Sequence, residues 1–149
     1  MNSQKISSHK IWTKEEREEI IDTHVSREVD IFNKCFRRLN NKPEEPNKRI
    51  YLECFLLHTR SLFDFLCTKK KQDDDVSVAD FLVDSIQLEK NIPIKKINKQ
   101  LSHITYSRLN PVELHKKKKL IYKTIHKALE EYNKMVPEYY RVKHVKKII

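Results

Sequence analysis

No glycine occurs among the 149 residues of this chain. Phosphate-binding loops of the P-loop and Rossmann types need glycine where the backbone approaches the phosphate, and tight β-hairpins need it for positive φ angles. The sequence therefore excludes both of these nucleotide-binding motifs and disfavours a β-sheet protein. Helices joined by turns of Pro, Asn and Asp are compatible with it, because these residues form turns without glycine.

Residues 49–67 are apolar around most of the circumference of a helix. Neighbours would cover such a helix on several faces, which predicts a central element. At about 100° per residue, Glu53, Arg60 and Asp64 form one polar stripe, and the last two have the spacing of an intrahelical ion pair. This polar seam predicts either a pocket between helices or a salt-bridge network at a solvent-facing edge. His58 lies on the opposite side, which favours a hydrogen-bonded core histidine.

Local signals mark where the other helices begin. Thr13 with Glu16, and Ser77 with Asp80, have the spacing of capping boxes, and Pro111 suits the first position of a helix. The predicted helices cover residues 14–39, 49–67, 78–86, 94–108 and 111–135. Their lengths and short connections predict an all-α fold, an antiparallel four-helix bundle with one additional short helix.

The whole chain, residues 1–149, is predicted to form a single domain. Residues 1–12 read as a flexible N-terminal arm and residues 138–149 as a basic C-terminal tail without a clear period. No segment is apolar enough for a signal sequence or a bilayer span, so no membrane association is expected.

The three cysteines, Cys35, Cys54 and Cys67, form no Cys-x-x-Cys pair. Scattered through apolar helical contexts, they favour reduced core thiols in a cytoplasmic protein over a disulfide framework or a zinc site. No pair of histidines has the spacing of a helical metal site. The sequence therefore predicts neither a metal nor any other cofactor.

The formal net charge is +10, and its excess lies at the C-terminal end, where eleven Lys and Arg follow Pro111 against four Glu. Such a field favours RNA, DNA or another anionic partner, although a solvated lysine face for solubility is equally familiar. The candidate phosphate contacts are Lys116, Lys117, Lys118, Lys119, Lys123 and Lys127. Consecutive lysines wrap around a helix, so we expect that they cannot all face one ligand. Tyr106, Tyr122, Tyr139 and Tyr140 offer stacking partners for single strands, although tyrosine is equally common at the rim of a helical bundle.

The predicted helix over residues 94–108 carries a polar face with Lys96 and His103, and Asn98 flanks its aliphatic stripe. Arg108 extends that stripe, so its guanidinium either pairs inward, with Asp64 or Glu53 of the seam as the reasonable partner, or reaches solvent past the helix end. The histidine face fits either a solvated surface or a general acid–base site.

Two segments, 58–66 (HTRSLFDFL) and 98–108 (NKQLSHITYSR), resemble paired signatures of small uncharacterised bacterial helical proteins. More remotely they resemble the HEPN (higher eukaryotes and prokaryotes nucleotide-binding) bundles of toxin–antitoxin and phage-defence systems. Active HEPN ribonucleases carry an Arg followed four to six positions later by a His at a dimer interface. His103 matches that histidine, but the arginine position holds Asn98 or Lys96, and lysine lacks arginine's bidentate hold on phosphate.

Together with the bundle pattern and the basic C-terminal third, the resemblance implies as the leading hypothesis a HEPN-like binding module with an anionic or nucleic-acid-related partner, in a bacterial defence or toxin–antitoxin context. The alternative is a metal-independent ribonuclease in which His103 acts with Lys96, Arg60 or Arg108. A third hypothesis is a structural or oligomerising protein without catalysis, either a homodimer or bound to a partner protein. It predicts that the polar seam lies in a subunit interface.

Overall fold

The computed structural model of the chain describes residues 11–67, 75–102 and 112–148. These residues form four helices with short 3₁₀ turns, and none of the residues so described lies in a strand, which confirms the predicted all-α class. The first helix consists of three consecutive segments, which are α1 (Lys14–Glu19), a π segment (Ile20–Val25) and α2 (Ser26–Asn40). The other three helices are α3 (Asn47–Cys67), α4 (Ile94–Ser102) and α5 (Val112–Met135).

The first helix begins at the predicted capping box. The Glu16 backbone N–H donates to Thr13 Oγ1 at 3.1 Å, and the Thr13 N–H donates to the Glu16 carboxylate at 2.8 Å. The π segment in its middle was not predicted. It forms where both the N–H and the hydroxyl of Ser26 donate to the carbonyl of Ile21, five residues earlier, while Ser26 itself is buried.

Helix α3 is the central element, as predicted. It contacts α2, α4 and α5, and the side chains of Phe55, Leu56, Leu62 and Leu66 are almost fully buried. Phe55 stacks on Phe32 of α2 with ring centroids 4.9 Å apart. Burial on several sides explains why this stretch has so few polar positions.

The segment after α3 differs from its prediction. The capping box of Ser77 and Asp80 is present, but it opens only a 3₁₀ turn, Val78–Phe81, instead of a helix over 78–86. Leu82 ends this turn in the left-handed conformation, with φ of 58°. The chain then returns to α3, where the Ile86 N–H donates to the Leu66 carbonyl at 2.9 Å. The part of the predicted fourth helix beyond Ser102 lies outside the described residues.

The C-terminal residues 138–148, which we call the C-terminal strap, begin with a 3₁₀ turn at Glu138–Tyr140 and run over α2 and α5. Side chains of these helices hold its backbone. The contacts are Tyr132 Oη to the Tyr140 carbonyl, Asn133 to both the N–H and carbonyl of Val142, the Lys143 N–H to Ser26 Oγ, Asn33 Nδ2 to the His144 carbonyl and the Lys146 N–H to His126 Nδ1. The strap has no sequence period because these contacts come from other elements.

Candidate functional site

The exposed face of α5 carries four of the six predicted lysines. Lys116, Lys119, Lys123 and Lys127 recur every three or four residues and are all exposed, so they form one row along the helix. With a rise of about 1.5 Å per residue, the row extends for roughly 16 Å. We call these four residues the lysine row. The opposite face, including Ile121 and Ile125, is fully buried in the core.

The other two predicted lysines lie beside the row and have local partners. Lys117 forms an ion pair with Glu113 at 3.4 Å, one turn earlier on α5. Lys118 Nζ donates to His115 Nε2 at 3.1 Å. The expectation that the six lysines do not share one face therefore agrees with this division into four and two.

The charges of the lysine row have no carboxylate partner within the described parts of the chain. There the ion pairs involve other lysines, including Lys14 with Glu18, Lys34 with Asp30 and Lys134 with Glu130. A row of exposed ammonium groups without counter-charges attracts anions, and that attraction weakens as salt rises.

A basic cluster lies next to the row. Burial lowers the pKa of His115, and the positive charges of Lys118 and Lys48 lower it further. The pKa of Lys118 is also lowered, first by burial and then by Lys119 and Lys48. The smaller contributions of the neighbouring lysines to both pKa shifts reflect a locally positive potential, which a bound anion would relieve.

An open cleft of about 290 Å³ borders the lysine row. Its lining includes Lys123 and Lys127 of α5 together with Gln87 and Asn91 from the segment before α4. Glu131 also borders it, so the cleft is not uniformly positive. Its amide groups can donate and accept hydrogen bonds, while the lysines can only donate them.

The described members of the predicted tyrosine stack do not come together on this surface. Tyr122 is stacked inside the protein on Phe36, with ring centroids 3.8 Å apart, and Tyr140 is buried. Tyr139 is about half exposed, but it lies under Lys14 of the first helix. Tyr106 is outside the described residues. The described tyrosines therefore contribute to packing more than to a surface for bases.

The polar seam of α3 lies on a partly exposed side of the helix. Arg60 is partly exposed, and its Nη1 donates to Ser102 Oγ of α4 at 3.4 Å. Glu53 is half-buried and Asp64 is exposed. Arg60 thus makes the predicted contact between the seam and α4. The predicted pairing through Arg108 involves a residue outside the described ranges.

The remaining predicted site residues are Lys96, Asn98 and His103. Lys96 projects from α4 to Glu113 of α5 and forms an ion pair at 2.6 Å, which lowers the pKa of that carboxylate. Asn98 is half-buried on α4. His103, the predicted acid or base, is not among the described residues. Its role and those of Lys96, Arg60 and Arg108 stay predictions.

His58, predicted to be a hydrogen-bonded histidine away from the seam, has such a bond. Its Nδ1 donates to the Glu28 carboxylate of α2 at 2.5 Å, and its side chain is only 13% exposed. The partner is a charged residue on another helix, which the sequence spacing gave no way to identify. This contact joins α2 to the central helix.

Sequence reasoning missed a buried histidine network on α5. His126 is fully buried; its Nε2–H donates to Asn33 Oδ1 at 2.7 Å, and the Tyr122 hydroxyl donates to the same oxygen at 3.1 Å. Its Nδ1 accepts from the Lys146 N–H at 2.9 Å. Burial, reinforced by the charge of Lys146, lowers the pKa of His126 to about 4. The imidazole is therefore neutral at pH 7 and acts as a structural link to the C-terminal strap.

A second cleft, of about 270 Å³, lies between the first helix and the segment after α3. Trp12, His24 and Phe81 line it together with Arg17, whose Nη1 donates to the Asp80 carbonyl at 3.2 Å. Its lining includes three acidic residues and no lysine, so it does not belong to the basic surface.

No group of three His, Cys, Asp or Glu side chains is arranged to hold a metal ion within the ranges 11–67, 75–102 and 112–148. Over the same ranges, none of the helices combines the length and the hydrophobicity required to cross a bilayer. Comparison with protein-family models, with curated proteins and with solved structures gave no match.

Proposed function

We propose that this protein is a HEPN-like binding module that holds the phosphate backbone of a nucleic acid along the lysine row of α5. In this proposal the four helices form an antiparallel bundle, and the partner is RNA or a comparable polyanion. The observation that carries the proposal is the row itself, four exposed lysines on one helix face without carboxylate partners among the described residues.

The type of residue in the row and the packing of the tyrosines both favour contacts to phosphates over contacts to bases. Lysine is a point charge on a flexible stem, which suits contact with a backbone of variable geometry. The described tyrosines are packed in the protein or against Lys14, so base stacking contributes little in this proposal. Contacts to phosphates carry no sequence information, and we therefore expect weak discrimination among sequences. The amides of Gln87 and Asn91 in the neighbouring cleft are the groups best placed to contact bases.

The second candidate is a metal-independent ribonuclease, favoured by one contact. Arg60 Nη1 lies 3.4 Å from Oγ of Ser102, the residue that precedes His103 in the sequence. In this alternative Arg60 of α3 binds the phosphate in place of the arginine that active HEPN ribonucleases carry, and His103 transfers protons. RNA cleavage in EDTA by the wild type and its loss in His103→Ala would favour this alternative over simple binding.

The binding proposal predicts a strong dependence of affinity on salt. Four lysine–phosphate contacts give a slope of about −3 in log K against log salt for a single strand, or roughly 50-fold weaker binding between 50 and 200 mM salt. Fluorescence anisotropy with a labelled oligouridylate would measure this slope. A peptide nucleic acid of the same base sequence is the matched control, because its backbone is uncharged, and it should not bind.

Two results would count against the proposal. One is the absence of binding to the oligouridylate at 50 mM salt. The other is an affinity that does not change with salt, since contacts to phosphates release counterions.

A further inference from the structure

Two cysteines from different helices meet in the interior of the protein. Cys35 on α2 and Cys54 on α3 are both free thiols, and their Sγ atoms are 2.7 Å apart. This separation is roughly 0.7 Å longer than the ~2.05 Å of a disulfide bond. The two helices are in extensive contact along this face, so the approach of the thiols is set by helix packing.

The two thiols differ in their access to solvent. Cys35 is buried, with 6% of its surface exposed, whereas Cys54 is half-buried. Burial raises the pKa of Cys35 to about 12, and its contact with Cys54 acts in the same direction. The residues that follow the two cysteines, Phe36 and Phe55, also contact each other across the two helices, with ring centroids 5.9 Å apart. Cys54 is thus the thiol that a reagent in solution reaches first.

The third cysteine provides an internal comparison. Cys67 also lies on α3 and is also half-buried, and burial raises its pKa to about 12. It follows Cys54 by thirteen positions in the same helix, which places it roughly 20 Å further along the axis. A bond between Cys67 and either of the others would therefore require unfolding of α3.

We propose that Cys35 and Cys54 form a modification site, a dithiol that a low-molecular-weight disulfide such as oxidised glutathione converts into a disulfide joining α2 to α3. The Cys54 thiolate attacks one sulfur of the reagent, whose S–S bond breaks and releases one glutathione thiolate. The Cys35 thiolate then attacks Cys54 Sγ and displaces the second glutathione. The protein dithiol loses two electrons and two protons, and the reagent gains them as two glutathione thiols.

The test is mass spectrometry of the native protein after incubation with oxidised glutathione. We expect a loss of two hydrogen masses per chain and no lasting glutathione adduct on Cys54. Trypsin separates the three cysteines into different peptides, which are 35–37, 50–60 and 61–69. The expected product joins the first two peptides and leaves the third unlinked.

A melting experiment gives a second, independent measure of the same bond. Oxidation should raise the melting temperature by about 10 °C, because the bond closes a loop of some twenty residues in the unfolded chain. Cys67→Ser should show the same mass loss and the same shift, since it leaves the proposed pair intact. Cys54→Ser should show neither.

Three outcomes would overturn this inference. They are a stable glutathione adduct on Cys54 without closure of the bond, a disulfide that includes Cys67, and a native protein that stays fully reduced while the urea-unfolded chain is oxidised under the same conditions. Each of them is read from the wild-type protein, so the conclusion does not depend on whether a variant folds.

Discussion

Replacing Lys119, Lys123 and Lys127 together with alanine is expected to weaken oligouridylate binding by about 100-fold at 0.1 M salt. Each phosphate contact to a single strand contributes about 0.7 to the slope of log K against log salt. Because 0.1 M salt lies one log unit below 1 M, each contact then contributes about 0.7 log units to the affinity, and three contacts contribute about 2. The triple variant should also lower the magnitude of the salt slope by about 2. All three side chains are exposed, so we expect little change in thermal stability.

The matched control removes three lysines that already have carboxylate partners. Lys14, Lys34 and Lys143 form ion pairs with Glu18, Asp30 and Asp22, respectively. Their joint replacement with alanine lowers the net charge by the same amount but spares the lysine row. We expect its affinity to fall by only roughly threefold, from the weaker long-range field. Equal losses in the two triple variants would show that net charge, rather than the row, determines binding.

The second large effect concerns stability and pH. His126 has a pKa of about 4 in the folded protein because of its burial, against 6.5 as its ordinary value. The unfolded chain therefore binds a proton more readily, and this part of the stability is present above pH 6.5 and is lost as the pH falls toward 4. Between pH 7.5 and 4.5 we expect the free energy of unfolding to fall by roughly 2 to 3 kcal/mol from this group.

Urea unfolding at the two pH values measures this effect, with His126→Gln as the comparison. Glutamine has no titrating group, so the variant should lose about 2 to 3 kcal/mol less than the wild type when the pH is lowered. His24→Gln is the control, because it removes a histidine that is exposed and lies outside the buried network. A wild type and a His126→Gln variant with identical pH dependence would contradict the account of a buried neutral imidazole.

The helices could be predicted because their signals are local. Thr13 with Glu16 defines the first helix within four residues, and the apolar circumference of residues 49–67 identifies the central helix without any knowledge of its neighbours. The short 3₁₀ turn after Ser77 could not be predicted in the same way, since the same capping box precedes helices and turns. The left-handed conformation of Leu82 decides the outcome, and the sequence contains no glycine to mark it.

The C-terminal strap could not be predicted because the sequence has no period there. Asn33 contacts the carbonyl of His144 across more than a hundred positions, and Lys143 contacts Ser26 in the same way. These contacts require the packed helices, so no local pattern indicates them. The π segment has the same origin, since Ser26 serves both Ile21 and the strap.

The candidate surface was predictable only in part. Helical spacing is enough to place Lys116, Lys119, Lys123 and Lys127 on one side of α5, but only the structure shows that this side faces solvent. The buried role of Tyr122 depends on stacking with Phe36, which lies on another helix. Residues 103 and 108 lie outside the described ranges, and their predicted chemistry is open to test by mutation.

The most direct test of the account is a map of where the nucleic acid binds. Backbone amide chemical shifts of the isotopically labelled protein would be followed at 50 mM salt during titration with the oligouridylate. We expect the largest changes at the lysine row and the adjoining residues of α5, with smaller changes at Gln87 and Asn91. Largest changes on α2, around Arg37 and Arg38, or no changes anywhere, would contradict the assignment of the lysine row as the binding surface.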